Sequence, residues 1–312
     1  MFAGYVSQMS QISNAEPTTY EDATQEQVWK DTMMEEYRSI MKNDVWEGVP
    51  RPKGKLMVTS KWLYKIKHAT DGSIENYKVR FVARGFSQKE GIDYDETFAP
   101  VARYTSIRTI ISLASGLGWK LHQMDVKTSF LNGQVEEEVC IEKLEGFVIH
   151  WRESHVCELR KAPYGLKQAP RAWDSRIDSY LQNLEFSKSA ANPNLYFKVV
   201  KNHPLILVLY VDDLFLIGEE HLIAQCKREL TSEFEMKDLG LMHYFLSLEV
   251  WQRSDGIILS QGKHTVDVLH RFGMLDCKSM STPVGAKSSR PKIARLYPTG
   301  LICQLRTVPH NW

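Results

Sequence analysis

Two adjacent carboxylates, Asp212 and Asp213, interrupt the most apolar run of the sequence, which extends from Leu205 to Ile217. The residues on both sides favour β-strands, so the pair is predicted to lie at the tip of a hairpin. A carboxylate held beside a hydrophobic core needs a partner, and a divalent cation is a suitable one. Adjacent side chains on a regular strand point to opposite faces, so only one of the two acids is expected to face such a site. A tight turn can direct Asp212 towards the site and leave Asp213 at its periphery.

A third acidic residue, Asp125, stands near the end of a second predicted strand, Lys120 to Val126. Three carboxylates at the ends of neighbouring strands would form an oxygen-rich site suited to Mg²⁺, which keeps water and substrate phosphates in its remaining positions. Two such ions, about 4 Å apart, can activate a 3′-hydroxyl and stabilise a leaving pyrophosphate. The alternative interpretation is a solvated turn that carries an Asp-Asp pair between two strands.

The elements around these acids mix helices and strands without regular βαβ alternation, which favours an α+β fold. Apolar residues at helical spacing predict helices at Gln25–Asn43, at Tyr104–Leu117, near Pro170 and at Glu219–Phe234. The apolar side of the first helix should carry Trp29, Met33, Tyr37, Ile40 and Met41, and that of the second Ile107, Ile110, Ile111, Ala114 and Leu117.

Two strand-like runs, Met57 to His68 and Asn76 to Arg84, flank Asp71-Gly72 and predict a second hairpin. Strand alternation should place several of its cations on one face. These cations are Lys61, Lys65, Lys67, Lys78, Arg80 and Arg84.

The composition excludes several classes of protein. A hydrophobic content of 43% in 312 residues supports a sizeable core, and a net charge of +1 means that any nucleic-acid contact must come from local patches. The five cysteines show no CxxC pair, which disfavours a disulfide framework or structural zinc and indicates a reducing, intracellular compartment. Motifs for P-loop, zinc-protease and serine-hydrolase chemistry are missing, and no run approaches the ~20 apolar residues that span a bilayer.

Six blocks of the sequence, taken in order, resemble the reverse transcriptase domain of the Pol polyprotein of copia-type (Pseudoviridae) LTR retrotransposons. They are WLYKIK at 62–67, YKVRFVARG at 77–85, GIDYDETFAPV at 91–101, HQMDVKTSFLNG at 122–133, YGLKQAPRAW at 164–173 and YVDD at 210–213. The resemblance implies a fingers and palm domain at residues 25–283. The residues before it, 1–24, are expected to form a flexible arm, because the first twenty are polar and mixed in character. Residues 284–312 would be an atypical tail that could be disordered, with the thumb truncated.

This resemblance implies a right-hand polymerase with an antiparallel palm sheet and packed helices. It would be an RNA-directed DNA polymerase that adds deoxynucleoside triphosphates to a DNA primer on an RNA template. Asp125, Asp212 and Asp213 would be the catalytic residues and the ligands of two Mg²⁺ or Mn²⁺ ions. Phe130 matches the aromatic residue that excludes ribonucleotides by clashing with the 2′-hydroxyl, and a core phenylalanine is the alternative at this position.

Further substrate-binding residues are implied by three of the blocks. They are Lys67, Lys78 and Arg80, as candidates to hold the triphosphate, and Tyr164, Lys167, Gln168 and Arg171, near the nascent base pair or the template. A solvated cationic face is the alternative for each hairpin cation. The expected location is intracellular, either in a cytoplasmic virus-like particle or in the nucleus, with no membrane partner.

Two departures from the family pattern bear on activity. Pro163 replaces a usual leucine, and because proline lacks a backbone N–H and fixes φ, it is expected to distort the block at 164–173. Ser247 replaces a usual glycine and would be strained by about 1 kcal/mol at a positive φ. The alternative function is therefore a degenerate retrotransposon fragment that is catalytically inactive and at most binds nucleic acid.

Overall fold

The computed structural model describes residues 16–55, 57–68, 73–97, 104–146, 155–277 and 303–306. Helices and antiparallel sheets are mixed along the chain, in agreement with the predicted α+β class. The chain folds into two compact units, each built from two segments. The first unit comprises residues 1–100 and 128–184, and the second comprises residues 101–127 and 185–312.

The helices and strands take the following bounds in chain order. They are α1 (Tyr20–Ala23), α2 (Gln27–Lys42), β1 (Trp46–Pro50), β2 (Ser60–His68), β3 (Ile74–Ala83), α3 (Tyr104–Leu117), β4 (Lys120–Val126), β5 (Cys140–Ile141), β6 (His155–Leu159), α4 (Ala169–Asn183), β7 (Ser187–Lys188), β8 (Leu195–Val200), β9 (His203–Tyr210), β10 (Asp213–Gly218), α5 (Glu220–Glu233), β11 (Met236–Leu241), β12 (Tyr244–Phe245), β13 (Leu248–Arg253), β14 (Gly256–Ser260), α6 (Gly262–Arg271) and β15 (Cys303–Arg306).

Strands β2 and β3 of the first unit form the predicted hairpin, with Lys65 directly opposite Lys78. Helix α2 packs against its apolar face, where the ring of Trp29 meets that of Tyr64 edge-on at 5.6 Å. Residues directly opposite each other in an antiparallel pair share a face. The register therefore confirms that the hairpin gathers cations on its other face, namely Lys61, Lys65, Lys67, Lys78 and Arg80.

The buried side of α2 differs in two positions from the predicted one. Trp29, Met33 and Ile40 are buried as expected, but Met41 is 51% exposed and Glu36 is only 5% exposed. The prediction for Met41 was wrong because this residue lies about 120° around the helix from Trp29, whereas Glu36 lies about 20° from it. Helical geometry thus places an acid in the middle of the apolar stripe.

Residues 16–24 fall within the predicted N-terminal arm and contain helix α1. The Asp22 N–H donates to the Thr19 hydroxyl at 3.1 Å, and the Thr19 N–H donates to the Asp22 carboxylate at 3.3 Å. This reciprocal pair is a capping box, and Ala23 is fully buried. The rest of the predicted arm lies outside the described residues, as does the predicted tail apart from β15.

The second unit is built on a six-stranded antiparallel sheet in the order β11-β4-β10-β9-β8-β7. Helix α3 and strand β4 have the bounds that periodicity predicted. Ile107, Ile111 and Ala114 of α3 belong to a core cluster with Leu121 of β4. Leu117 was also predicted to be buried, but this last residue of the helix is 51% exposed.

The second unit also contains a sheet in the order β12-β13-β14-β15. The turn between β12 and β13 consists of Leu246 and Ser247, whose φ angles are +46° and +65°. Ser247 therefore occupies the left-handed region, which is strained for serine and is adopted freely by glycine. Among the described residues, no helix is both long and apolar enough to cross a membrane.

Candidate active site

The Asp212-Asp213 pair lies at a two-residue hairpin turn, as predicted. Strand β9 ends at Tyr210, which pairs with Asp213 at the start of β10, so Val211 and Asp212 form the turn. Val211 has a φ of +56°. A positive φ is costly for a β-branched residue, and such strain is found mainly where the surrounding structure enforces it.

Strand β4 brings the third acid to the same place. Asp125 is directly opposite Asp213 in the antiparallel pairing of β4 with β10. The Val126 N–H donates to the Asp212 carbonyl oxygen at 2.8 Å, so the turn is tied to the end of β4 by its main chain. The structure thus brings together the three acids that the sequence analysis singled out, and the register aligns Asp213 with Asp125, although the turn argument had favoured Asp212 as the inward residue.

Burial and neighbouring charge act together on Asp213. Burial raises the pKa of its carboxyl to about 6, a hydrogen bond from Gln123 acts in the opposite direction, and the charges of Asp212 and Asp125 raise the pKa further. The Gln123 Nε2 donates to the Asp213 Oδ1 at 2.9 Å. The cluster therefore disfavours a third negative charge unless a cation is present.

Gln123 was not among the residues singled out from the sequence. It is 7% exposed and lies two residues before Asp125 on β4, so both side chains are on the same face of the sheet. A polar amide two residues before an acid on a predicted strand is a detectable signal. Its hydrogen bond makes Gln123 the residue that orients Asp213.

The donor chemistry of this cluster suits a hard cation, because carboxylate oxygens are the ligands that Mg²⁺ prefers. In the part of the chain that the structure describes, no three His, Cys, Asp or Glu side chains are arranged as a ready-made metal site. A metal shared by these acids would therefore require side-chain adjustment, or further ligands from water and substrate.

The three hairpin cations assigned from the resemblance occupy different surroundings in the first unit. Lys67 is exposed and opposite Asn76, and Lys78 is partly buried and opposite Lys65. Arg80 forms an ion pair of 3.0 Å with Glu36, and its guanidinium lies 5.2 Å from the centre of the Tyr164 ring. Burial raises the pKa of Glu36, and the positive charge of Arg80 opposes this shift.

Phe130 and Tyr164 form an aromatic pair within the first unit. Phe130 lies in a short 3₁₀ helix, Ser129–Asn132, and its ring centre is 5.0 Å from that of Tyr164 with the planes at 63°. The Tyr164 carbonyl oxygen accepts a hydrogen bond of 2.8 Å from the Ala83 N–H at the end of β3. Both rings are partly buried, and Phe130 packs against the core cluster of the first unit.

The block that contains Lys167, Gln168 and Arg171 is held by a polar network. Gln168 is 1% exposed, and its Nε2 donates to the Asp93 carbonyl at 3.0 Å and to the Glu137 carboxylate at 3.4 Å. Arg171 pairs with the other oxygen of Glu137. Lys167 has an exposed side chain, while its N–H donates to a buried glutamine side chain at 2.8 Å.

Pro163 precedes this block and is buried. On one side, the Ala162 N–H donates to the Gly133 carbonyl at 3.1 Å. On the other side, the Tyr164 carbonyl accepts from Ala83. The main-chain hydrogen bonds on both sides are therefore formed despite the missing donor of proline.

Comparison with known proteins identifies the family of this sequence. Residues 43–286 match the family model described as "Reverse transcriptase (RNA-dependent DNA polymerase)". The chain is 44% identical over 256 residues to the retrovirus-related Pol polyprotein from transposon TNT 1-94 of Nicotiana tabacum, a match that covers 81% of the chain. It is 35% identical over 286 residues to the corresponding polyprotein from transposon RE2 of Arabidopsis thaliana, with 91% of the chain covered. The chain spans only 19% of the length of each of these relatives.

Proposed function

The chain belongs to the reverse transcriptase (RNA-dependent DNA polymerase) family of copia-type transposons, and from this membership we propose that it is an RNA-directed DNA polymerase core. It would add deoxynucleotides to the 3′-hydroxyl of a DNA primer on an RNA template. The observation that carries the proposal is the position of Asp125 opposite Asp213, with Asp212 in the adjoining turn.

Asp125, Asp212 and Asp213 are proposed to hold two Mg²⁺ or Mn²⁺ ions. When bound, such ions activate the 3′-hydroxyl and stabilise the leaving pyrophosphate. Gln123 keeps the Asp213 carboxylate in place through its 2.9 Å hydrogen bond. Because burial and mutual repulsion disfavour three separate negative charges, the cluster is expected to gain stability from a cation.

The second unit, which carries the carboxylates, is proposed to be the palm, and the first unit to be the fingers. Together they would make up the domain at residues 25–283. In the first unit, Lys67 and Lys78 are assigned to the triphosphate, Phe130 to the sugar, and Tyr164 and Lys167 to the nascent base pair. Gln168 and Arg171 are assigned to holding that block in place, because their polar groups contact Asp93 and Glu137.

Primer extension tests this function. On poly(rA)/oligo(dT) with Mg²⁺ or Mn²⁺, Asp125→Asn and Asp213→Asn are each expected to lower the rate by at least about 100-fold, because charge stabilisation by the metal site is lost. Asp255→Asn is a matched control at an exposed turn and should leave the rate unchanged. Equal extension by wild type and both site variants would contradict the proposal, provided that urea unfolding shows all of them to be folded.

A second candidate function is a degenerate fragment that binds nucleic acid without extending a primer. The observation in its favour is Ser247, which has a φ of +65° where the family pattern has glycine. Primer-template binding without extension by the wild type would support this candidate over the polymerase, and recovery of extension in the Ser247→Gly variant would identify the strained serine as a cause of the lost activity.

A further inference from the structure

A continuous series of contacts joins helix α2 to the aromatic pair of the first unit. Glu36 is 5% exposed, and its Oε2 is 3.0 Å from the Arg80 Nη1. Its Oε1 accepts a hydrogen bond of 3.3 Å from the Phe81 N–H, at the edge of the two-stranded sheet. One buried carboxylate therefore fixes both the guanidinium of Arg80 and the main chain beside it.

Arg80 in turn contacts the ring of Tyr164. Its Cζ lies 5.2 Å from the ring centre, within the range over which a cation is attracted to an aromatic face. The Tyr164 ring also contacts Phe130, with ring centres 5.0 Å apart. The Tyr164 main chain is held separately by Ala83. Tyr164 is thus held at its main chain by β3 and contacted at its ring by Arg80 and Phe130.

The guanidinium of Arg80 is engaged within the first unit through one of its nitrogens. The Arg80 Nη1 donates to Glu36 and, at 3.4 Å, to the Val79 carbonyl, and the side chain is only 25% exposed. In contrast, Lys67 on the same hairpin face has an exposed side chain. The surroundings of Arg80 therefore suit a residue that positions its neighbours better than one that binds a triphosphate in solvent.

We propose that Arg80, held by Glu36, is a positioning residue that fixes the Tyr164 ring and, through it, the Phe130 ring, and thereby sets the discrimination between deoxyribonucleotides and ribonucleotides. This inference rests on the proposed polymerase function and on the assignment of Phe130 to the sugar. A steric barrier to a 2′-hydroxyl depends on displacements of less than an ångström, so loosening of the ring pair should weaken it.

The test compares dUTP with UTP in primer extension on poly(rA)/oligo(dT), because these nucleotides differ only at the 2′ position. Arg80→Lys keeps the charge beside Glu36 but loses the planar group above Tyr164. It is expected to lower the dUTP:UTP ratio of kcat/KM about fivefold, while the KM for dUTP changes less than about twofold. Glu36→Gln and Tyr164→Leu should lower the ratio in the same direction.

The double variant Arg80→Lys/Tyr164→Leu should lower the ratio no further than Tyr164→Leu alone, because both changes act on one ring. Arg51→Lys is the matched control, since Arg51 forms an exposed ion pair with Glu142, and it should keep the wild-type ratio. If Arg80→Lys raises the KM for dUTP and UTP equally and leaves the ratio unchanged, Arg80 binds the triphosphate and the inference is overturned.

A second measurement is independent of activity. In urea unfolding, the Arg80→Gln and Tyr164→Leu changes should be coupled by about threefold in the unfolding equilibrium constant. A wild-type chain that extends no primer would refute the polymerase function but not the contact. Strictly additive effects on unfolding would refute the contact itself, whatever the activity.

Discussion

The Asp213 carboxyl is partly withdrawn from water at the start of strand β10. Its pKa is raised from 3.8 to about 6, first by burial, and the native state therefore binds this proton more tightly than the unfolded chain. When the folded pKa is the higher one, the native state loses stability as the pH rises from about 4 through 6. A neutral side chain of the same shape avoids this loss.

Asp213→Asn is accordingly expected to stabilise the metal-free protein near neutral pH. With EDTA present, the gain in the free energy of unfolding should be about 1 to 2 kcal/mol at pH 7.5, after discounting for partial exposure, and should largely vanish near pH 4. Urea unfolding at the two pH values measures it, with Asp255→Asn as the control. A gain of the same size at both pH values would mean that the charge of Asp213 is not its cause.

Ser247 provides a prediction about main-chain strain. Its φ of +65° is a conformation that glycine adopts freely and serine adopts at a cost. Ser247→Gly should therefore raise the free energy of unfolding by about 0.5 to 1 kcal/mol. Ser254→Gly is a matched control in the next turn, where φ is not positive, and is expected to be neutral or destabilising. Equal effects at the two serines would show that the Ser247 turn is unstrained.

The helices and strands that could be predicted from the sequence are those whose formation depends on residues close to one another in the chain. Helix α3 and strand β4 were placed to the residue because their apolar spacing repeats within a few positions. The same local pattern placed Asp125 and the Asp212-Asp213 turn at strand ends. Gln252 was not singled out, because its partner Leu121 is 131 residues away and no local pattern records such a contact.

Gln252 of β13 holds the start of the strand that carries Asp125. Its Oε1 accepts the Leu121 N–H at 2.8 Å, and its Nε2 donates to the carbonyls of Leu121 and Met242, each at 3.0 Å. The amide side chain acts here as a short strand partner for β4. The amide therefore accepts one hydrogen bond and donates two, and only asparagine and glutamine side chains combine an acceptor with two donors.

Replacement of this amide should test the junction between the two sheets of the second unit. Gln252→Ala is expected to lower the free energy of unfolding by about 1 to 3 kcal/mol, because buried main-chain groups lose their partners. At pH 7, Gln252→Glu should lower the free energy of unfolding more than Gln252→Ala does, since a carboxylate would face two carbonyl oxygens. Near pH 4 the Gln252→Glu variant should regain part of this stability, because protonation restores a donor. A Gln252→Glu variant as stable as wild type at pH 7 would contradict this role.

At the scale of the whole molecule, some features of the candidate sites can be predicted from the pattern of residues in the sequence, and others are visible only in the folded structure. The hairpin register makes a cationic face from five residues that alternate in sequence, and alternation alone predicted it. The ion pair of Arg80 with Glu36 was not predicted, because hydrophobic periodicity assigns apolar residues to a helix face and passes over a buried acid. The sequence pattern thus predicts which face of the hairpin carries the cations, and only the folded structure shows which of these cations form ion pairs with acidic residues.

This distribution of charge leads to a prediction about nucleic-acid binding. The net charge is only +1, so affinity for a primer-template should depend on the hairpin face and not on the overall field. Lys61 and Lys67 are exposed on β2. Replacing both with glutamine should lower the magnitude of the slope of log K against log salt by about 1.4 to 1.8, since each of the two phosphate contacts releases about 0.7 to 0.9 of a counterion.

The matched control removes two positive charges from exposed lysines that lie outside the hairpin. Lys53 and Lys201 are also exposed, and the Lys53→Gln/Lys201→Gln variant has the same net charge as the hairpin variant. Fluorescence anisotropy of a labelled RNA/DNA primer-template between about 50 and 200 mM salt gives both slopes. The control should keep the wild-type slope, because its lysines lie outside the hairpin face. Identical slopes for the two variants would mean that the molecule attracts nucleic acid through its total charge, and the hairpin face would lose its assigned role.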